Sequence, residues 1–146
     1  MLTKELQGEV MPLLNSLHQE VGEFSDWPLV VDWIPYEYAQ KMGDIVIITA
    51  RRAGELLGVL VFLVSKHAHY AGRKFAMQDI VYVAPELRGK MTAVRMFKAA
   101  ERMLKAIGVE AYTTHSRTGD FFFGGFLEAL GCKPSEITYM KRLSNG

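Results

Sequence analysis

Between residues 79 and 93 the chain reads Asp79-Ile80-Val81-Tyr82-Val83-Ala84-Pro85-Glu86-Leu87-Arg88-Gly89-Lys90-Met91-Thr92-Ala93, and these residue types in this order describe an anion site. A β-branched run stops at Pro85, a short loop carries Arg88, Gly89 and Lys90, and a helical pattern begins at once. The first amides of a helix have no internal partner, and the helix dipole places about half a positive charge at that end. Two full cations, and a glycine that lets the backbone approach a ligand closely, make a phosphate or pyrophosphate the expected guest. The same residues would also serve an ordinary strand-to-helix turn with solvated charges.

Other residues could move protons. Asp79 lies among Met77, Ile80 and Val81, where desolvation would raise a carboxyl pKa towards the range useful for a base. Its bland role is a solvent-facing strand residue or a partner for Arg73. His67 and His69 are two apart, so an extended chain turns both the same way, to line a pocket or simply to end a strand. No further ligands accompany them, and no metal site is expected. His115, with Thr113, Thr114 and Ser116, forms a polar cluster after a strand, suited to touching substrate or to capping the next turn. Cys132 has no assignable activating neighbour and is not expected to be a nucleophile.

The elements that must position these residues follow from periodicity. Leu6, Val10, Leu13, Leu14, Leu17 and Val21 repeat at helical spacing, with Pro12 either starting the helix or kinking it. Residues 24–38 read as an irregular aromatic connection, with a short helix at 36–42. Residues 44–50 and 56–64 read as a hairpin turned at 51–55, and Gly58 hints at a bulge or a close backbone approach. A third strand covers 75–83. Ala93, Met96, Phe97, Ala100, Met103, Leu104 and Ile107 then make one apolar helical stripe, stopped by Gly108. A strand at 109–115, an apolar helix at 121–130 with most of Phe121-Phe122-Phe123 facing the core, and a closing strand at 136–143 complete the order. The strand-helix-strand unit of the second half should make a right-handed crossover.

Composition narrows the class. The 146 residues fit one domain, 1–146, and nearly half are apolar, which suits a packed core. A net charge of +1 gives no reason to expect affinity for nucleic acid or a membrane. The lone cysteine and the absence of an apolar leader or spanning stretch point to a soluble protein of the reducing cytoplasm.

The segment Val83-Ala84-Pro85-Glu86-Leu87-Arg88-Gly89-Lys90 resembles the acyl-coenzyme A motif of the GNAT acetyltransferases, and element order agrees along nearly the whole chain. His67-Ala68-His69-Tyr70 and Thr138-Tyr139-Met140-Lys141-Arg142-Leu143 are also similar to acetyltransferase-like proteins of tailed phages, which would place the chain in a host cytoplasm. The resemblance implies a GNAT α/β fold: a mixed, mostly antiparallel sheet flanked by helices, splayed at its centre to admit acetyl-coenzyme A. It implies transfer of an acetyl group to a primary amine by direct attack. Amides of Arg88, Gly89, Lys90, Met91, Thr92 and Ala93 would hold the pyrophosphate. Those of Val81, Tyr82 and Val83 would hold the thioester and pantetheine. Asp79 matches the position of a glutamate base in some members, and His115 falls where the sheet opens towards the acetyl group. Two positions depart: Met91 replaces a usual glycine, and Leu127 stands where many members carry a tyrosine acid. Tyr82 and Tyr112 are candidate replacement acids. Trp27, Trp33, Tyr36 and Tyr38 fall where the family builds one wall of the acceptor site. Gly124 and Gly125 would permit close approach to the coenzyme or to a second subunit, leaving a homodimer open. The alternative is a GNAT-like binding or virion-associated module without turnover.

Overall fold

The structure, a computed structural model, describes residues 1–144 and divides into two compact units, Met1–Thr114 and a second beginning at His115. Helix α1 (Lys4–Val21) opens the first unit. Thr3 caps it, its Oγ1 accepting from the Leu6 amide at 3.1 Å, and Gly22 ends it at φ +69°. Pro12 therefore lies inside the helix rather than at its start. It forfeits the bond to the Gly8 carbonyl, but Leu6, Val10, Leu13 and Leu14 are all buried in the core, and that packing holds the helix across the gap.

Helix α2 (Ile34–Met42) starts two residues earlier than periodicity suggested, with Pro35 in its first turn, where a missing amide hydrogen costs nothing. Then come strands β1 (Ile45–Arg52), β2 (Glu55–Lys66) and β3 (Lys74–Val83), a short 3-10 turn at Pro85–Leu87, helix α3 (Thr92–Ala106) and strand β4 (Val109–Thr113). The sheet order is β1-β2-β3-β4, with the first two pairings antiparallel and β3–β4 parallel. This is the mixed, mostly antiparallel sheet expected.

Strand β2 is apolar along most of its length because both its faces are covered. Val59 and Val61 join the α1 cluster. On the other face Phe62 meets Phe97 of α3 edge-on at 6.2 Å and Tyr112 of β4 at 5.1 Å. Gly58 marks a close approach: a Cβ there would stand 3.1 Å from the Ala50 Cβ, 3.2 Å from the Met96 sulfur and 3.3 Å from the Tyr82 carbonyl oxygen.

The second unit contains α4 (Phe121–Ala129), capped by Asp120 accepting from the Phe123 amide at 3.0 Å. Two expectations fail here. Phe121 and Phe122 are 87% and 78% exposed, not core. They occupy the first turn, and only Leu127 of this helix is buried. The closing strand at 136–143 is also absent: these residues carry no regular structure, and Ile137, Tyr139 and Leu143 are exposed. Strand propensity needs a neighbouring ladder to satisfy its backbone, and no described strand pairs with this segment.

Candidate functional site

The site is built where β3 loses a neighbour. Parallel pairing with β4 covers only Lys74 to Met77 and ends at Met77↔Thr113. Beyond it, Gln78 and residues 80–83 remain paired with β2 but have no described strand on their other edge. A side-chain bond marks the parting, with Thr114 Oγ1 donating to the buried Gln78 Oε1 at 2.8 Å. Val81, Tyr82 and Val83 lie in this stretch of β3.

A bulge falls in the same stretch. Val61 faces Ile80 and Phe62 faces Gln78, so Asp79 is the extra residue with nothing opposite it. The insertion reverses the alternation: Ile80 packs in the α1 cluster, while Gln78 lies opposite Phe62, which packs on α3. Asp79 is turned out of both packed faces and is exposed rather than desolvated. It does not pair with Arg73, which bridges Glu110 instead. Its Oδ2 accepts from the Tyr36 hydroxyl at 2.7 Å. Burial, then the hydrogen bond and charge of Asp79, push the Tyr36 phenol above its ordinary pKa of 10.0, so it stays protonated and donating. Sequence reasoning placed Tyr36 only in an aromatic wall. Its bond to a residue 43 positions away left no local signal.

The loop after β3 turns at Gly89. Gly89 has φ +73° with open space where a Cβ would be, so glycine serves the backbone there. Met91, at φ −73° and ψ 0°, is in a conformation open to any residue, and its side chain is 57% exposed. Helix α3 begins without a side-chain cap, so the amides of Thr92, Ala93 and Val94 are left without helical partners. Lys90 is exposed and makes no ion pair among the described residues. Arg88 is committed elsewhere: Nε donates to the Val83 carbonyl at 2.8 Å, Nη2 donates to both carboxylate oxygens of Glu20, and the guanidinium lies 5.4 Å from the Tyr82 ring centre. It ties the loop to the strand end and to α1. These residues fit a pyrophosphate through amides and Lys90.

The remaining candidates separate. His115 is exposed and opens the second unit. Tyr82 is buried beneath Arg88, and the Tyr112 hydroxyl donates to Glu101 at 2.9 Å. Leu127, 5% exposed, is a packing residue with no acid to offer. His67 packs its ring against Tyr70 and Phe75, and its Nδ1 accepts from the His69 amide at 3.1 Å, an aromatic turn rather than a pair of projecting ligands. Cys132 is half-buried and in no disulfide. A polar depression of about 460 Å³ lies elsewhere, between α1 and β1, lined in part by the paired Glu9 and Arg51. None of the predicted site residues lines it.

Comparison with solved structures places this architecture in a class. The chain is similar to an aminoglycoside N-acetyltransferase, AAC(6')-Iy, in complex with CoA (15% identity, 97% of this chain and 96% of that one, TM-score 0.71). It is also similar to a ribosomal-protein-alanine N-acetyltransferase from Brucella melitensis (18%, 93% and 92%, TM-score 0.68). A third similar structure is the glucosamine-6-phosphate N-acetyltransferase of Arabidopsis thaliana (18%, 75% of each chain, TM-score 0.64). The fold is therefore that of the GNAT N-acetyltransferases. No family model and no curated protein matches the sequence. Among the described residues no helix is long and apolar enough to cross a membrane.

Proposed function

We propose that the chain acts as one acetyltransferase domain, moving the acetyl group of acetyl-coenzyme A to a primary amine by direct attack. The observation that carries this reading is the parting of β3 from β4, which leads directly to an uncapped helix N-terminus carrying Gly89 and an unpaired Lys90. Amides of Gly89, Lys90, Met91, Thr92 and Ala93, with the Lys90 charge, bind the pyrophosphate, and Arg88 keeps that loop in place. The open edge of Val81, Tyr82 and Val83 binds the pantetheine arm and the thioester carbonyl. Asp79 takes the proton of the amine. Similar structures named as N-acetyltransferases, one of them in complex with CoA, support the reading. A single cysteine, Cys132, fits a reducing cytoplasm, that of a host if a phage encodes the chain.

Calorimetric titration with acetyl-coenzyme A, followed by thiol release in the presence of amines, tests the reading. Binding that Lys90→Glu weakens, together with amine-dependent thiol release, supports it. The absence of binding at millimolar coenzyme overturns it. Leu127 favours a second reading, a GNAT-like module without turnover, because that buried side chain offers no proton to a leaving thiolate. That reading requires that no amine accelerate thiol release.

A further inference from the structure

The bulge at Asp79 and the hydroxyl of Tyr36 meet at the point where β3 leaves β4, and the proposed chemistry assigns no work to Tyr36. We propose that Tyr36 is the positioning residue of the acceptor site, holding the Asp79 carboxylate so that the acceptor amine enters as an ammonium ion and gives its proton to Asp79. The inference rests on the acetyltransferase reading and names the form in which that site takes its substrate.

Three observations carry it. Asp79 is exposed, and among the described residues the only hydrogen bond of its carboxylate is the one to Tyr36 at 2.7 Å, through Oδ2. Oδ1 accepts from no described residue, so a donor can be received there. Tyr36 can only donate to this carboxylate, since burial and the neighbouring charge keep the phenol protonated through the working range. A carboxylate with a donor on one oxygen and the other oxygen open makes a stronger hydrogen bond to a cationic donor than to a neutral amine. Third, Tyr36 belongs to α2, packs its ring 5.8 Å from Trp33, and links that helix to the bulge. It fixes a strand residue that has no cross-strand neighbour to fix it.

The step balances. The ammonium passes one proton to Asp79, which becomes the neutral acid, and the freed nitrogen lone pair forms a bond to the thioester carbon. The carbon–sulfur bond breaks, the sulfur carries its electron pair away, and the second nitrogen proton goes to the thiolate. Amide and free thiol result, and Asp79 returns its proton to water.

Steady-state thiol release is measured with spermidine and benzylamine, ammonium ions at neutral pH, and with aniline, which is already neutral. Wild type, Tyr36→Phe, Asp79→Asn and the double variant are compared. Tyr36→Phe is expected to lower kcat/KM for the two alkylamines roughly tenfold to a hundredfold, the kinetic equivalent of one hydrogen bond to a charged group. The loss should be much smaller with aniline, acetyl-coenzyme A affinity should not change, and the double variant should be no worse than Asp79→Asn alone. Equal losses with all three amines, multiplicative losses in the double variant, or no loss with turnover intact would overturn the inference while leaving the acetyltransferase reading standing. A wild-type chain that binds acetyl-coenzyme A yet releases thiol with no amine removes that reading, and this inference falls with it.

Discussion

Arg88 and Glu20, 68 positions apart, are joined by two hydrogen bonds of 2.8 and 3.0 Å from one guanidinium nitrogen to both carboxylate oxygens. With Nε on the Val83 carbonyl, this one side chain fastens the end of β3, the glycine loop and the C-terminal half of α1 together. The pair is nearly half exposed on each side, so its share of global stability is small, under ~1 kcal/mol. Its value lies in where it holds the loop.

Arg88→Ala should therefore weaken acetyl-coenzyme A binding about tenfold while moving the melting temperature by only a few degrees. Glu20→Gln keeps the Val83 bond and should cost less than about fivefold. Calorimetric titration of the three proteins, with thermal melts beside it, checks both. Equal affinity in all three would show that the loop needs no tie.

Gly89 and Met91 make opposite predictions within one loop. Gly89→Ala places a Cβ at φ +73°, a strain of roughly 1–2 kcal/mol, and should lower both stability and coenzyme affinity. Met91→Gly relieves nothing, because Met91 already sits at φ −73° with its side chain largely in solvent. Coenzyme affinity should not improve. A gain of tenfold or more in Met91→Gly would show that the side chain obstructs the phosphates.

The core beneath the site tolerates little change. Phe97 is 1% exposed and meets Phe62 edge-on, so Phe97→Ala should cost about 3–5 kcal/mol in denaturant unfolding. Gly58→Ala brings a Cβ to 3.3 Å from the Tyr82 carbonyl, a backbone atom that cannot swing aside as the Met96 thioether can. A loss of roughly 1–3 kcal/mol is expected, and an unchanged midpoint would show that β2 and β3 separate freely.

Stability should also fall in acid through two carboxylates of the α1–α2 region. Glu9 is held below its ordinary pKa of 4.5 by its hydrogen bond with Arg51, and Glu37 is held below it by hydrogen bonds from Lys4 and Gln7. A carboxyl lowered on folding stabilises the fold above its unfolded pKa and loses that contribution as pH falls through the folded value. The decline should begin near pH 4.5 and be shallower in Glu9→Gln and Glu37→Gln. Tyr36 works in the opposite sense: its raised pKa contributes below pH 10 and loses that contribution as pH climbs beyond. Unfolding midpoints across both ranges read the two limbs.

Much of the scaffold was legible from neighbours in the chain. The apolar run of β2, the stripe of α3 and the turn at Gly89 are written within a few residues, because helical bonds, strand alternation and left-handed turns are local choices. Pro12 left two readings open, and the helix runs through it because tertiary packing of α1 outweighs the local penalty. The phenylalanines at 121 and 122 and the segment 136–143 misled, as apolar and β-branched character does not by itself supply a surface to cover or a strand to pair with.

The sequence by itself determined that a strand would run into a glycine loop and an open helix N-terminus, and that determination needs only backbone preferences and the spacing of side chains. Only the tertiary structure decided that Asp79 would be the unpaired residue of a bulge, that Tyr36 would be the donor it meets, and that Arg88 would turn to Glu20 rather than outward. Each of those is a contact between segments far apart in the chain. Sheet register and helix packing set such contacts jointly, and no local rule encodes them.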